Sequence, residues 1–166
     1  MYFYGLIIIK DNNMTKPDFV TMWANFARIN VSVKEVGKKI GGKVQYNIDQ
    51  GIFQNACAIR MSYALNYSGV PVSRSPRWAT SSGADKKWYI FKVADLIDFL
   101  ESALGAPDMT AKSKKEMEAF QGKKGLVVFN VSREDATGHA TLWDGSGCSD
   151  TCYYQSASEA KLWILS

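Results

Sequence analysis

The chain has 166 residues, 46% of them hydrophobic and 22% charged, which is enough to close one full core and leaves no disordered excess of charge. Its net charge of +4 sits in scattered lysine pairs (Lys38-Lys39, Lys86-Lys87, Lys114-Lys115, Lys123-Lys124). No basic stripe or arm points to nucleic acid, although an anionic polymer stays compatible with the balance.

The opening run MYFYGLIII is apolar but too short to span a bilayer, and it lacks both a basic region and a small-residue cleavage site. Neither a signal peptide nor a membrane anchor is expected. Asp11-Asn12-Asn13 breaks this run and Met14 then opens a helix signal, so residues 1–13 read as an N-terminal extension and 14–166 as one domain.

Thr15 begins a capping signature, with Pro17 in the first turn and Asp18 three residues on. Phe19, Trp23, Phe26 and Ala27 then form the apolar stripe of an amphipathic helix running to about Ile29. Ser32 and Glu35 repeat the capping-box spacing for a second helix, which Gly41-Gly42 stops.

After an irregular stretch through Asp49-Gln50-Gly51, the segment NACAIRMSYALNYSG carries a third helix, with Gly69 and Pro71 as its stop. Cys57 falls in or just before its first turn. Residues 71–87 are rich in Pro, Ser, Gly and charge and read as a long loop, a candidate substrate rim.

WYIFK reads as a strand and 94–104 as an amphipathic helix, and Ser113 with Glu116 caps a short helix to Phe120. LVVFNVS, HATLWDG and KLWILS close the chain as strands, the second ending in an Asp-Gly turn. Helices followed by strands, without repeats or a dividing linker, give an α+β class.

A thiol at a helix N-terminus meets unpaired N–H groups and the positive end of the dipole, which favour the thiolate nucleophile. A small buried core residue is the competing reading of Cys57. If the chain is a cysteine–histidine enzyme, its base is His139, because the sequence has no other histidine.

A carboxylate would orient that imidazole, and Asp144 and Asp150 are the candidates. A tight turn at 144–147 would set Thr141 opposite Asp150 and His139 opposite Cys152. Asp150 would then be a same-face diagonal neighbour of His139, while Asp144 points to the other face.

The cysteine count suggests one pair and one free thiol. On an extended strand, however, Cys148 and Cys152 would stand roughly 13 Å apart, beyond disulfide reach. Either both stay reduced, or the chain coils between them and Asp150 lies in a closed loop. Cys148, Cys152 and His139 make an incomplete ligand set with the wrong spacing for zinc, and no Gly-x-Ser-x-Gly elbow occurs. Neither a metal nor another cofactor is expected.

The motifs IGGKV, FQNACAIRMSYALN, SGAD, GKKG, GHATLWDG, CSDTC and LWIL, in this order over 14–166, resemble the fourth family of type VI secretion amidase effectors. The resemblance implies a papain-like, NlpC-type fold, with the nucleophile at a helix N-terminus packed on an antiparallel sheet. It implies a peptidoglycan amidase that cuts the γ-D-glutamyl–meso-diaminopimelate bond of bacterial stem peptides. Carried over by position, Cys57 is the nucleophile, His139 the base and Asp150 the orienting carboxylate, with a disulfide joining Cys148 and Cys152.

Oxyanion donors would be the Cys57 N–H and a side chain such as Gln54 or Asn55, for which local helix capping is an equal alternative. Arg60, Arg74, Arg77 or Lys87 could assist with the carboxylates of the substrate. Synthesis in the cytoplasm, delivery by the type VI apparatus into a rival's periplasm, and a cognate immunity protein also follow from the resemblance. The same Cys-His-Asp set would serve a cysteine acyltransferase or deamidase acting on proteins, and a silent binding module is the non-enzymatic alternative.

Overall fold

The computed structural model describes residues 15–131 and 138–166. The expected extension at 1–13, the start at Met14, and residues 132–137 of the polar stretch before His139 lie outside the described residues.

Helix α1 spans Phe19–Ile29, and its cap is Asp18 rather than Thr15. The Asp18 carboxylate accepts from the Thr21 N–H at 2.8 Å, where a negative charge also meets the positive helix end. Helix α2, Val33–Ile40, is capped by Ser32 accepting from the Glu35 N–H, as the spacing predicts.

Gly41-Gly42 does end α2, but the chain turns through two positive φ values, 70° and 61°, straight into a helix the sequence reading lacked, α3 (Gly42–Asp49). The pair serves more than the turn. A Cβ on Gly42 would stand 2.7 Å from the Gly83 carbonyl carbon, so only glycine lets the next hairpin approach.

Helix α4 covers Cys57–Asn66 and is buried on nearly every side. The stretch expected as a continuous loop holds a short strand, β1 (Thr80–Ser82), which pairs antiparallel with β2 (Trp88–Ile90). Helix α5 follows at Val93–Leu104, then a strand not foreseen, β3 (Met109–Ala111), and α6 (Lys114–Met117), which continues as a 3-10 turn at Glu118–Phe120.

The main sheet adds β4 (Gly125–Val131), β5 (His139–Trp143) and β6 (Ala157–Ile164), all pairs antiparallel, in the order β3-β6-β4-β5. Both faces of β4 are covered, which explains its unbroken apolar run. Leu126 and Val128 face a core with Met22, Phe26, Met61, Leu65, Leu96 and Leu100, whereas Val127 and Phe129 face one with Met117, Phe120, Trp143 and Leu162. The α+β class with helices packed on an antiparallel sheet is thus the observed architecture.

Strand β5 is the edge of this sheet, and α4 lies beside it. The turn at 144–147 forms as expected, with Asp144 N–H donating to the Gly147 carbonyl at 3.0 Å. The regular hairpin beyond it does not form. One bridge, Trp143 to Cys148, keeps the expected register, and the chain then coils because Cys148 and Cys152 are joined in a disulfide with Cα atoms 5.4 Å apart.

Candidate active site

Cys57 is the first residue of α4 and the free cysteine of the chain, 2% exposed. Two buried polar side chains fix the helix that carries it. Ser62 Oγ accepts from the Ile90 N–H at 3.0 Å, and Asn66 donates to the Trp88 carbonyl at 2.8 Å while accepting from the Val72 N–H. The thiol end of α4 is therefore tied to β2 as well as packed.

His139 begins β5, and Gly138 just before it lies against α5 and β4. A Cβ at Gly138 would meet Val93 Cγ1 at 2.8 Å and the Phe129 carbonyl oxygen at 2.9 Å. This close seat brings the Gly138 carbonyl oxygen to 3.9 Å from Cys57 Sγ.

The third group arrives from the coiled loop. His139 Nε2 and Asp150 Oδ1 are 3.0 Å apart, with side chains only 12% and 13% exposed. The loop is stitched along the open edge of β5. Ser149 N–H donates to the Leu142 carbonyl at 2.8 Å, Ser149 Oγ pairs with Thr141 Oγ1 at 3.0 Å, and Asn30 donates to the Ser149 carbonyl at 3.3 Å. With Nε2 engaged by Asp150, Nδ1 is the ring nitrogen left for the thiol.

Burial alone would lower the pKa of His139, but hydrogen bonds to Asp150 and Cys57 and their charges outweigh it and push the value up to about 9. The arrangement accordingly favours the imidazolium form of His139 at neutral pH. Asp144, the other candidate carboxylate, serves the turn instead. The Gly147 and Ser146 N–H groups donate to it and hold its carboxyl below the usual range.

One cavity of about 410 Å³ gathers Cys57, His139 and Asp150 with Gln54, Asn55 and Arg60. Asn55 Oδ1 accepts from the Cys57 N–H at 3.0 Å, so the side chain offered as an oxyanion donor caps the helix, and the Cys57 N–H points to it. Gln54 lines the cavity wall.

Residues 71–87 do not line this cavity. Arg74 lies over the Trp88 ring and Arg77 over the Trp78 ring, beside a separate depression, and Lys87 lies over Tyr67. Of the four cations named from sequence, only Arg60 reaches the thiol's surroundings. Sequence reasoning missed Tyr153, whose ring stands 4.8 Å from that of His139, and Ser149; neither carries a local signal, because only the coiling of the loop brings them in. The Cys148 and Cys152 sulfurs are spent in the disulfide and are no longer metal ligands.

A protein-family model described as type VI secretion system (T6SS), amidase effector protein 4 (Tae4), matches residues 53–163, a span that includes Cys57, His139 and Asp150. Among solved structures, the Tae4 effector of Enterobacter cloacae in complex with its immunity protein Tai4 superposes with a TM-score of 0.85 at 46% identity, covering 91% of this chain and 99% of that one. The corresponding Tae4–Tai4 complex of Salmonella Typhimurium gives 0.84 at 44% identity, with 91% and 99% covered. The E. cloacae effector by itself gives 0.84 at 46%, with 91% and 98% covered. No curated protein matches the chain.

Proposed function

The chain belongs to the Tae4 family of type VI secretion amidase effectors, and from that premise we propose that it is a cysteine amidase cutting the γ-D-glutamyl–meso-diaminopimelate bond of peptidoglycan stem peptides. The observation that carries the reading is the meeting, in one cavity, of a free thiol at a helix start with an imidazole that a buried carboxylate holds.

The Cys57 thiolate attacks the amide carbonyl carbon, forming a C–S bond and a tetrahedral oxyanion. The His139 imidazolium gives its proton to the departing diaminopimelate nitrogen as the C–N bond breaks, leaving a thioester. Neutral His139 then takes a proton from water. The hydroxyl adds to the thioester, the C–S bond breaks, and the thiolate–imidazolium pair returns.

Asp150 keeps the imidazole oriented through both steps and favours its charged form. For the Cys57 N–H to stabilise the oxyanion, it must turn from Asn55 Oδ1 to the substrate.

The reading extends to biology through the relatives. Their effectors are found with an immunity protein, and this chain is inferred to be an antibacterial effector, delivered by the type VI apparatus to the periplasm of a target cell and neutralised by a cognate immunity protein that occludes the Cys57 cleft. Among the described residues, no helix is long and apolar enough to cross a membrane. Digestion of purified peptidoglycan, with muropeptides identified by mass, tests the reading. The expected products carry a new amino terminus on diaminopimelate; unchanged muropeptides would refute it.

A further inference from the structure

Arg60 stands one helical turn after Cys57 on α4, so the two side chains leave the helix on the same face, about 5–6 Å apart at their Cβ atoms. Among the described residues it is the only lysine or arginine that lines the cavity of Cys57, His139 and Asp150. One guanidinium nitrogen, Nη2, donates to the Val31 carbonyl at 2.7 Å, which fixes the side chain against the α1–α2 connection.

The rest of the group is not matched. Among the described residues Arg60 forms no ion pair, and its Nε is buried without a hydrogen-bond partner. Asp150, whose charge it feels, is already engaged by His139. Burial lowers its pKa against the opposing pull of Asp150 and Cys57. A guanidinium held this way has donors in hand for a planar anion and a desolvation cost that such an anion would offset.

We propose that Arg60 binds the free α-carboxylate of the γ-linked D-glutamyl residue on the acyl side of the scissile bond. The inference rests on the amidase reading above and names what selects its substrate. In a γ-glutamyl amide this carboxylate lies four bonds from the carbonyl carbon under attack, roughly 5 Å in an extended conformer. That span is comparable with the one-turn offset between the Cβ atoms of Cys57 and Arg60, both of which line the same cavity. An α-peptide bond offers a carboxylate at that distance only when the acyl residue is glutamate, so the contact would distinguish the γ-glutamyl linkage from α-linkages after other residues. It also distinguishes D-glutamate from its α-amide, D-isoglutamine, which is neutral at the same position and of nearly the same shape.

The test uses two synthetic tripeptides, L-alanyl-γ-D-glutamyl-meso-diaminopimelate and its D-isoglutaminyl counterpart, with kcat/KM measured for the wild-type chain, Arg60→Met and Arg60→Lys. The wild type is expected to favour the carboxylate peptide by about 10- to 100-fold. Arg60→Met should lose that factor on the carboxylate peptide alone, leaving the two substrates within about twofold, and Arg60→Lys should restore part of the preference. Equal slowing of both peptides in Arg60→Met would make Arg60 structural and overturn the proposal.

Wild-type discrimination needs no variant to fold. Equal rates on the two peptides would therefore overturn the proposal while leaving the amidase reading in place. A wild-type chain that cuts neither peptide removes the reading itself.

Discussion

Asp150 reaches the His139 imidazole across 3.0 Å from inside the loop that Cys148 and Cys152 close. The orienting carboxylate of the proposed mechanism thus sits on an irregular segment, held by the one disulfide that closes the loop and by Ser149 pinned to the edge of β5. Order in that loop is what turns a nearby carboxylate into an orienting one.

Asp150→Asn is expected to keep the shape of the side chain and lose the charge. Activity should fall by on the order of 10²- to 10⁴-fold, because the imidazole loses both its orientation and the stabilisation of its charged form. Steady-state rates on a defined stem peptide, with far-UV circular dichroism as the folding control, check this outcome.

The pH profile of kcat/KM should show an alkaline limb near pH 9, where His139 loses the proton it must give to the leaving amine. In Asp150→Asn the main support for the charged form is gone, so the limb should move to lower pH. An unmoved limb would mean that Asp150 does not set the protonation of His139.

Stability carries the same signature. The folded value for His139, about 9, lies above the ordinary 6.5. Its contribution is therefore fully present below about pH 6.5 and is lost as pH rises through about 9. Denaturant midpoints of the wild type should fall across this window, and His139→Gln should flatten that part of the curve.

Replacing both Cys148 and Cys152 by alanine opens a loop so short that the entropic loss is only about 2 kcal/mol. The effect on turnover should be larger than that figure suggests, because Asp150 loses its seat. A variant with a modestly lowered melting temperature and kcat reduced at nearly unchanged KM is the expected result.

Gly138→Ala places a methyl group against Val93 and the Phe129 carbonyl. Overpacking of this kind costs about 1–3 kcal/mol, and here it pushes on the residue before His139. Thermal denaturation and activity should both suffer, whereas Gly147→Ala, where a Cβ meets nothing within 4 Å, should be close to neutral in stability.

The long helices and the strands with β-branched or aromatic runs were legible because each carries its own pattern: the Ser32–Glu35 and Ser113–Glu116 spacings, the α1 stripe, and the apolar run of β4. What escaped had no local pattern. β1 and β3 are three residues long and exist through their partners, and α3 begins at a glycine that reads as a stop.

Cys57 was legible as a helix-start thiol and His139 as the single histidine. Asp150 was named for a geometry that holds for one rung only; the disulfide supplies the rest. Arg60 could not be separated from Arg74, Arg77 and Lys87 in the sequence, since only the packing of α4 against the α1–α2 connection turns it into the cavity.

Attack of Cys57 on the γ-D-glutamyl carbonyl can be followed by hydrolysing the L-alanyl-γ-D-glutamyl-meso-diaminopimelate tripeptide in ¹⁸O-labelled water and determining the product masses. The expected products are L-alanyl-D-glutamate with one heavy oxygen in its γ-carboxylate and free diaminopimelate, with no product from Cys57→Ala. Cleavage at another bond, or the same products from Cys57→Ala, would contradict it.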